Sequence, residues 1–328
     1  MRRSLSSSLT AALLLTVSVA KAQSADPVNG AAFLLIPMGG RAVALGQAAV
    51  AAGGSAEAVF WNPAGLASSP ASEVALHYSS TFASENSAVS LALVGEGVGV
   101  IGLSFFVADF GSQDIVTANG STVGRFSPKH LQLLASLATD VADRLALGVN
   151  YKFIQFRQDC TGTCGGSGAI MSESQVGTTH AIDAGIQYSA GSSANLTLGV
   201  VLKNAGLALA VNDPDRADAL PTRIQFGGLY RLPLQHSDNV QRIDISLLAD
   251  LENELGGSVD HDARVGIEVS YAGTVQIRSG YAFLQSAARG PSLGVGLNLG
   301  GWTLDIARVF FEQPTLEEPF FVTLRAEL

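Results

Sequence analysis

Most of the chain after residue 72 alternates between apolar residues and polar or small ones with a period of two. Leu293, Val295 and Leu297, for example, are separated by Gly294 and Gly296. This is the spacing of side chains along one face of a β-strand. No amphipathic pattern of helix length interrupts residues 73 to 328. The sequence therefore predicts an all-β fold for this region.

The alternation divides into fourteen predicted strands separated by turn-forming residues. They cover residues 73–80, 87–94, 98–108, 127–138, 144–157, 177–189, 194–204, 221–232, 240–250, 262–271, 275–284, 292–299, 302–311 and 319–328. Each odd-numbered connection between them is at least as long as its even-numbered neighbours. Short turns at one end and longer loops at the other are typical of an up-and-down transmembrane β-barrel with an even number of strands.

Composition favours the membrane interpretation of these strands. Charged residues make up 14% of the chain, against about 25% in soluble domains. No segment of the mature chain has the ~20 consecutive apolar residues of a membrane helix. A secreted sandwich or propeller stays open as the alternative, because alternation shows that one face is apolar without showing which way that face points.

The first 22 residues have the pattern of an export signal. Arg2 and Arg3 precede an apolar run over residues 9–20, and Ala20-Lys21-Ala22 forms a cleavage site. Removal of this segment takes away three cations, so the net charge changes from −9 to −12. Such a charge argues against nucleic acid as a partner. An even strand number would leave both termini of the mature protein in the periplasm.

Residues 23–72 lie between the signal segment and the first strand and are rich in alanine, glycine and serine, which allow close packing inside a barrel. The bulky sequence FWNPAGLA follows this small-residue stretch. We expect a compact plug in which Trp61 is a wedge, Asn62 and Pro63 turn the chain sharply, and Ala64 and Gly65 continue the turn. The alternative is that this turn only leads into the first strand, with no part in gating.

Two charges are predicted to meet inside the barrel. The loop Ala272-Gly273-Thr274 joins two strands, and a three-residue hairpin loop places Glu268 directly opposite Arg278. Both lie on the face away from the apolar residues, so we expect a salt bridge in the lumen. The pair could fix the strand register or take part in transport, and we favour the structural role.

Other candidate chemistry is sparse. Cys160 and Cys164 are close together in a long loop of an exported protein, which predicts a disulfide. The acidic segments 212–218 and 250–256 lack the spacing of a calcium loop, so we expect no metal site and no cofactor. The five histidines are scattered, and no catalytic constellation is present in the sequence. We therefore expect a protein that is not an enzyme.

The sequence resembles a known family at several points in order. The motifs are GRAVALGQAAVA and AVFWNPAGLA within residues 40–67, DRLALGVNYKFI at 143–154, NLTLGVVLKNAG at 195–206, RVGIEVSY and VQIRSGYAF within 264–283, and SLGVGLNLGGWTLDIARVF at 292–310. Together they resemble the PorV/PorQ proteins, which are FadL-like outer-membrane barrels. The resemblance covers residues 30 to 328.

The resemblance adds expectations about individual residues. Asn62-Pro63-Ala64 matches the N-P-A signature of the FadL-type hatch, the segment that closes the lumen. The family's G-x-E and R-x-G-Y signatures fall on the strands of Glu268 and Arg278. The family also carries acidic residues five to eight positions before the asparagine, where this chain has Gly54 and Ser55, with Glu57 as the acid nearest to them.

Three functions are consistent with this sequence. The resemblance implies an outer-membrane component of protein secretion of the type IX kind, with secretion-machine subunits or secreted cargo as partners. The first alternative is a FadL-like passive conduit for hydrophobic small molecules, and the second is a structural or surface-interaction barrel. Outer-membrane lipid is a partner in all three.

Overall fold

The computed structural model describes residues 30–163, 174–190, 195–211, 213, 215, 217–234, 242–256, 261–286, 288–312 and 317–328. The predicted signal segment 1–22 and the first residues of the predicted plug lie outside this part of the chain. The fold, its contacts and its cavities are described for these residues.

Fifteen strands make up the sheet. They are β1 (Glu73–Ser80), β2 (Glu85–Gly95), β3 (Gly99–Asp109), β4 (Gln113–Val116), β5 (Thr122–Ala142), β6 (Leu145–Gly162), β7 (Gln175–Ala190), β8 (Leu196–Gly206), β9 (Arg223–Arg231), β10 (Ile243–Glu254), β11 (His261–Tyr271), β12 (Val275–Phe283), β13 (Gly290–Leu299), β14 (Trp302–Val309) and β15 (Phe320–Glu327).

The sheet is a closed antiparallel barrel of fourteen strands. Each strand pairs with its neighbours in sequence, and the barrel closes where β1 pairs with β15 along its whole length. The short strand β4 is not one of the fourteen barrel strands. In the barrel wall β3 pairs directly with β5, and β4 pairs with the N-terminal part of β5 to form a hairpin beyond the end of β3. The predicted fold class is confirmed.

All fourteen predicted strands are present, but three features differ from the predictions. Strand β4 was not predicted, because it is only four residues long. Strands β5 and β6 are 21 and 18 residues long, well beyond the ~10 residues that cross a bilayer. Strand β10 begins later and ends later than predicted. At its end, Glu252 faces inward and pairs with Arg223, so the strand continues beyond residue 250.

The shift of β10 corrects one part of the loop pattern. Strand β9 ends at Arg231 and β10 begins at Ile243, so this connection is longer than the one from Glu254 to His261. The expected rule of longer odd-numbered connections therefore fails at this position. Elsewhere the turns at 96–98, 143–144, 272–274 and 300–301 define a short-turn end, and the connections 110–121 and 310–319 lie at the opposite, long-loop end.

The two faces of the barrel wall have opposite polarity. Large apolar side chains such as Leu76, Ile182 and Ile277 are exposed on the outer face. The polar side chains of the same strands point inward and are buried. These inward-facing polar residues are buried: Asn150, Lys152, Asp183, Gln187, Arg264, Glu268, Gln276, Arg278 and Asp305. An apolar exterior around a polar interior is the arrangement of a membrane barrel, not of a water-soluble sandwich.

Residues 30–72 form a plug inside the barrel. It contains two short 3₁₀ helices, η1 (Ala32–Leu35) and η2 (Pro63–Ser68), and two short α-helices, α1 (Gly40–Ala44) and α2 (Ala58–Trp61). None of the described helices is long and apolar enough to span a bilayer. The plug begins at the long-loop end, where the Gly30 amide donates to the Ala219 carbonyl. It ends where β1 starts, at the short-turn end beside the C-terminus, so the chain passes through the lumen.

Candidate functional site

Residues 61–66 of the FWNPAGLA turn are buried between the rest of the plug and the wall, and Phe60 and Ala67 are half-buried. Asn62 accepts a hydrogen bond from the Ala64 amide through its Oδ1 atom at 3.1 Å, which caps η2. Its Nδ2 atom donates to the Val50 carbonyl at 2.9 Å and to the Ile186 carbonyl of β7 at 3.2 Å. This one side chain therefore holds three segments together, namely η2, the preceding plug loop and the wall.

Trp61 and Pro63 support the turn in different ways. The Trp61 indole Nε1 donates to the Met38 carbonyl at 2.9 Å, which ties α2 to the first part of the plug. The Lys203 ammonium of β8 lies 5.3 Å from the centre of the Trp61 ring, close enough for a cation–π interaction. Pro63 occupies the first position of η2, where its missing amide donor has no cost. The predicted motif residues 61–65 are all buried.

Wall side chains bind the plug backbone all around the barrel. The Asp250 carboxylate accepts from the amides of Ala49 and Val50 at 2.7 and 2.9 Å. Asn150 donates to the Val59 carbonyl at 2.9 Å, and Gln187 donates to the Val50 carbonyl at 2.9 Å. Because irregular backbone buried in a membrane protein needs such partners, these polar residues allow the plug to remain inside the lumen.

A ring of glycines in the wall makes room for the plug. A methyl group on Gly280 would lie 2.1 Å from the Gly46 amide nitrogen, and one on Gly148 would lie 2.3 Å from the Ala64 amide nitrogen. Similar close approaches to plug atoms occur on several other strands, so the plug contacts the wall backbone itself. We call these residues the glycine ring: Gly102, Gly148, Gly185, Gly199, Gly227, Gly266, Gly280 and Gly294.

The predicted pair Glu268 and Arg278 belongs to a longer chain of ion pairs. The two residues lie directly opposite each other in the β11–β12 ladder, and Arg278 Nε donates to Glu268 Oε2 at 2.6 Å. Glu268 also binds Arg41 of the plug, with Arg41 Nε 3.1 Å from Glu268 Oε2. The wall pair therefore has a third member that comes from α1.

The chain continues from Arg278 towards the closing seam of the barrel. Arg278 Nη1 lies 2.6 Å from Asp305 Oδ1, and Arg325 Nη2 lies 3.1 Å from Asp305 Oδ2. Arg325 Nη1 then lies 3.4 Å from Glu73 Oε2, while Glu73 Oε1 accepts from the Ala56 amide at 2.8 Å. We name this the ion-pair chain: Arg41, Glu268, Arg278, Asp305, Arg325 and Glu73. Both ends of the ion-pair chain connect the plug to the wall, one through Arg41 and Glu268 and the other through the Ala56 amide and Glu73.

Above the plug, a cavity of about 520 Å³ opens towards the long-loop end. We call it the mouth cavity. Its walls are largely apolar, and its aromatic members are Phe33, Phe82, Phe110, Phe311 and Phe321. A volume of a few hundred Å³ with mainly apolar walls is typical of a pocket for a small hydrophobic ligand.

The base of the mouth cavity is polar. Arg223 pairs with Glu252, and its Nη2 atom lies 3.2 Å from Glu254 Oε2. Arg264 Nη2 lies 3.3 Å from Glu252 Oε1. Beneath this layer and the η1 segment is a smaller chamber of about 70 Å³ that reaches Lys203 and Trp61. The mouth cavity is therefore separated from the lower lumen by η1 and by paired charges.

Of the remaining predicted features, Cys160 does not join this site, whereas the acidic segment 250–256 contributes Asp250, Glu252 and Glu254 to it. Cys160 lies near the end of β6, but Cys164 lies outside the described residues, so the disulfide stays a prediction. Parts of the acidic segments 212–218 and 250–256 are described. Across the described ranges, no group of three or more histidine, cysteine or acidic side chains could hold a metal ion.

Several residues of the site were not predicted from the sequence. Arg41 and Arg325 complete the ion-pair chain, and Asp250 anchors the plug loop. The mouth cavity was also not predicted, because its lining comes from η1 and from four different connections. No local signal in the sequence shows that Asp250 or Arg325 contacts the plug.

The chain matches no known family model, and no curated protein sequence matches it. Solved barrel structures do match its fold. The toluene transporter TbuX of Ralstonia pickettii has a TM-score of 0.61 and 13% identity, covering 88% of this chain and 98% of that chain. The toluene transporter TodX of P. putida has a TM-score of 0.57 and 10% identity, covering 88% and 97%. A Pseudomonas aeruginosa FadL homologue has a TM-score of 0.55 and 13% identity, covering 89% and 99%.

Proposed function

We propose that the protein is an outer-membrane conduit for hydrophobic small molecules, with the mouth cavity as the entry site and the plug as the closure. The short-turn end faces the periplasm and the long-loop end faces outward, as in membrane barrels generally. The observation that carries this proposal is the mouth cavity, which combines aromatic walls with a location directly above the plug.

The comparisons support the same choice. Two of the similar structures are described as toluene transporters and the third as a FadL homologue, and toluene is a small apolar molecule that would fit a cavity of about 520 Å³. The polar base at Arg223 and Glu252 is already internally paired. An uncharged ligand therefore would not have to break these ion pairs in order to occupy the apolar walls above them.

The proposal is tested by filling the mouth cavity. Ala83→Trp and Ala288→Trp each add a large side chain to its lining, whereas Ala118→Trp adds the same group to an exposed turn outside it. We expect the first two variants to reduce uptake of a labelled monoaromatic hydrocarbon by cells that lack other transporters of this fold. The Ala118 variant should match the wild type. Equal uptake by all variants, or by cells without the protein, would refute the proposal.

The secretion role implied by the PorV/PorQ resemblance stays a prediction, as does a purely structural role. A secretion role would require a surface for machine subunits or cargo, and the described residues offer no feature that favours such a surface over the mouth cavity. Co-purification from membranes distinguishes the three roles. Stable association with secretion-machine subunits or secreted cargo would replace the conduit proposal with the secretion role.

A further inference from the structure

One buried carboxyl group in the plug has an oxygen that accepts no hydrogen bond. Glu57 precedes α2 and is only 4% exposed. Its Oε1 atom is buried and has no hydrogen-bond partner among the described residues. The carboxyl lies against the backbone of Gly39, where a methyl group would be 2.6 Å from Glu57 Cδ. An incompletely hydrogen-bonded carboxylate in such a place is costly, whereas a protonated carboxyl is much less so.

Charged groups on α1, β12, β14 and β15 act on Glu57. They belong to the ion-pair chain, whose three guanidinium groups on α1, β12 and β15 face three carboxylates on β1, β11 and β14. The nearby titratable residue His77 is bonded through both ring nitrogens to the hydroxyl groups of Thr323 and Ser90. The chain is thus neutral without Glu57, and an ionised Glu57 would add an unbalanced negative charge.

We propose that Glu57 carries a proton in the seated plug under acidic conditions, and that loss of this proton loosens the plug. The plug would then act as a closure that tightens in acid and relaxes as the pH rises. This inference does not depend on which molecule passes through the barrel.

The direction of the pH dependence follows from the two states. Burial raises the pKa of Glu57 from 4.5 to about 7 in the seated plug, with Arg325 opposing and Asp305 adding to the increase. A released plug would have the ordinary value, so seating takes up a proton between those two values. Seating is therefore strongest below pH 4.5, weakens as the pH rises to about 7, and is constant above it. The full range corresponds to a change of at most about two and a half orders of magnitude in the seating equilibrium.

Hydrogen exchange of the plug tests this inference without any transported molecule. Glu57→Gln keeps the shape of the side chain and is neutral at every pH. At pH 5 we expect plug peptides of the wild type and of Glu57→Gln to exchange at similar rates. At pH 8 the wild-type plug should exchange up to about 300-fold faster than the variant. Comparing the two proteins at each pH cancels the intrinsic pH dependence of exchange. Glu96→Gln, which changes an exposed carboxyl in the β2–β3 turn, is the control and should behave as the wild type.

If Glu57→Gln disturbs the plug, the exchange rates of the two proteins cannot be compared directly, so infrared spectroscopy provides a second test by detecting the protonated carboxyl itself. The wild type at pH 5 should show the carbonyl band of a protonated carboxyl that is absent in the variant and disappears above pH 7. A rate ratio that is the same at pH 5 and pH 8, or the absence of such a band, would overturn the proposal. Neither result would affect the conduit proposal, which is tested by hydrocarbon uptake alone.

Discussion

At the scale of single residues, the plug is held by side chains that each satisfy buried backbone groups. Asn62 is the clearest case, because its amide binds one acceptor in the plug and one in the wall while its carbonyl caps η2. An aspartate would have the same shape but no donor. The choice of asparagine in the FWNPAGLA turn therefore has a physical reason beyond the turn itself.

This reasoning gives a prediction for Asn62→Asp. The carbonyls of Val50 and Ile186 would each face a carboxylate oxygen instead of an amide donor. Val50 would keep Gln187 as a donor, but the new carboxylate would be buried with the Ala64 amide as its donor, and an unsatisfied buried group costs about 1–3 kcal/mol. We expect the plug to become sensitive to protease while the barrel stays folded, as measured by limited proteolysis and by heat-dependent gel mobility. Asn119→Asp, in the exposed turn before β5, should have no effect. Unchanged plug protection in Asn62→Asp would contradict the assigned role.

The glycine ring allows a test with neighbouring residues of one strand. A methyl group on Gly227 would lie 2.3 Å from Asp250 Oδ1 and 2.7 Å from Val50 Cβ, whereas one on Gly228 would meet no atom closer than 3.8 Å. Overpacking of this kind costs about 1–3 kcal/mol. Gly227→Ala should therefore loosen the plug, measured by hydrogen exchange of residues 40–61, and Gly228→Ala should not. Equal effects of the two substitutions would show that the plug does not press on the wall here.

At the scale of elements, the strands were predictable and most of their contacts with the plug were not. The period-two pattern identified every barrel strand because each one has a lipid-facing apolar side and an inward polar side. Strand β4 was missed because four residues are too few to establish a period. Glu268 and Arg278 could be paired in advance because a short hairpin fixes their register. Arg41 could not be added, since its position depends on how the whole plug folds.

Because Glu268 and Arg278 belong to the ion-pair chain, exchanging their charges should affect stability differently from the same exchange in an isolated pair. In a simple pair, Glu268→Arg combined with Arg278→Glu would restore the attraction. Here the double variant would place like charges beside Arg41 and Asp305. Because breaking a buried ion pair costs about 3–5 kcal/mol, we expect the double variant to remain strongly destabilised. The temperature of barrel unfolding measures this effect.

Adding Arg41→Glu and Asp305→Arg to that double variant provides the matched test. These changes restore opposite charges beside positions 268 and 278 but leave a cation at position 305 next to Arg325, so stability should recover only in part. Full recovery in the double variant alone would mean that Arg41 and Asp305 contribute little to the network.

At the scale of the whole molecule, the barrel is open at one end and closed at the other. The mouth cavity lies at the long-loop end, whereas the glycine ring, the ion-pair chain and the bound plug backbone fill the lumen below it. Strands β5 and β6 extend beyond the bilayer on the open side. Any molecule that passes through the lumen must therefore displace part of the plug or leave by another route.

Orientation in the membrane is tested by labelling thiols in intact cells. Ser112→Cys lies in the connection after β3 at the long-loop end, and Glu96→Cys lies in the short turn between β2 and β3. We expect a maleimide that cannot cross the outer membrane to label the first variant directly, and the second only after the membrane is permeabilised. The unsubstituted protein controls for labelling of Cys160 and Cys164. The reverse pattern would place the mouth cavity towards the periplasm.

The central claim is that the mouth cavity receives a hydrophobic molecule above a seated plug. The most direct measurement is a crystal structure of the protein soaked with bromobenzene, in which anomalous scattering locates the bromine. We expect a bromine peak inside the mouth cavity, beside Phe82, Phe311 or Phe321, and Asn62 should still be hydrogen-bonded to the wall. Bromine peaks confined to the lipid-facing surface, with the mouth cavity empty, would contradict the central claim.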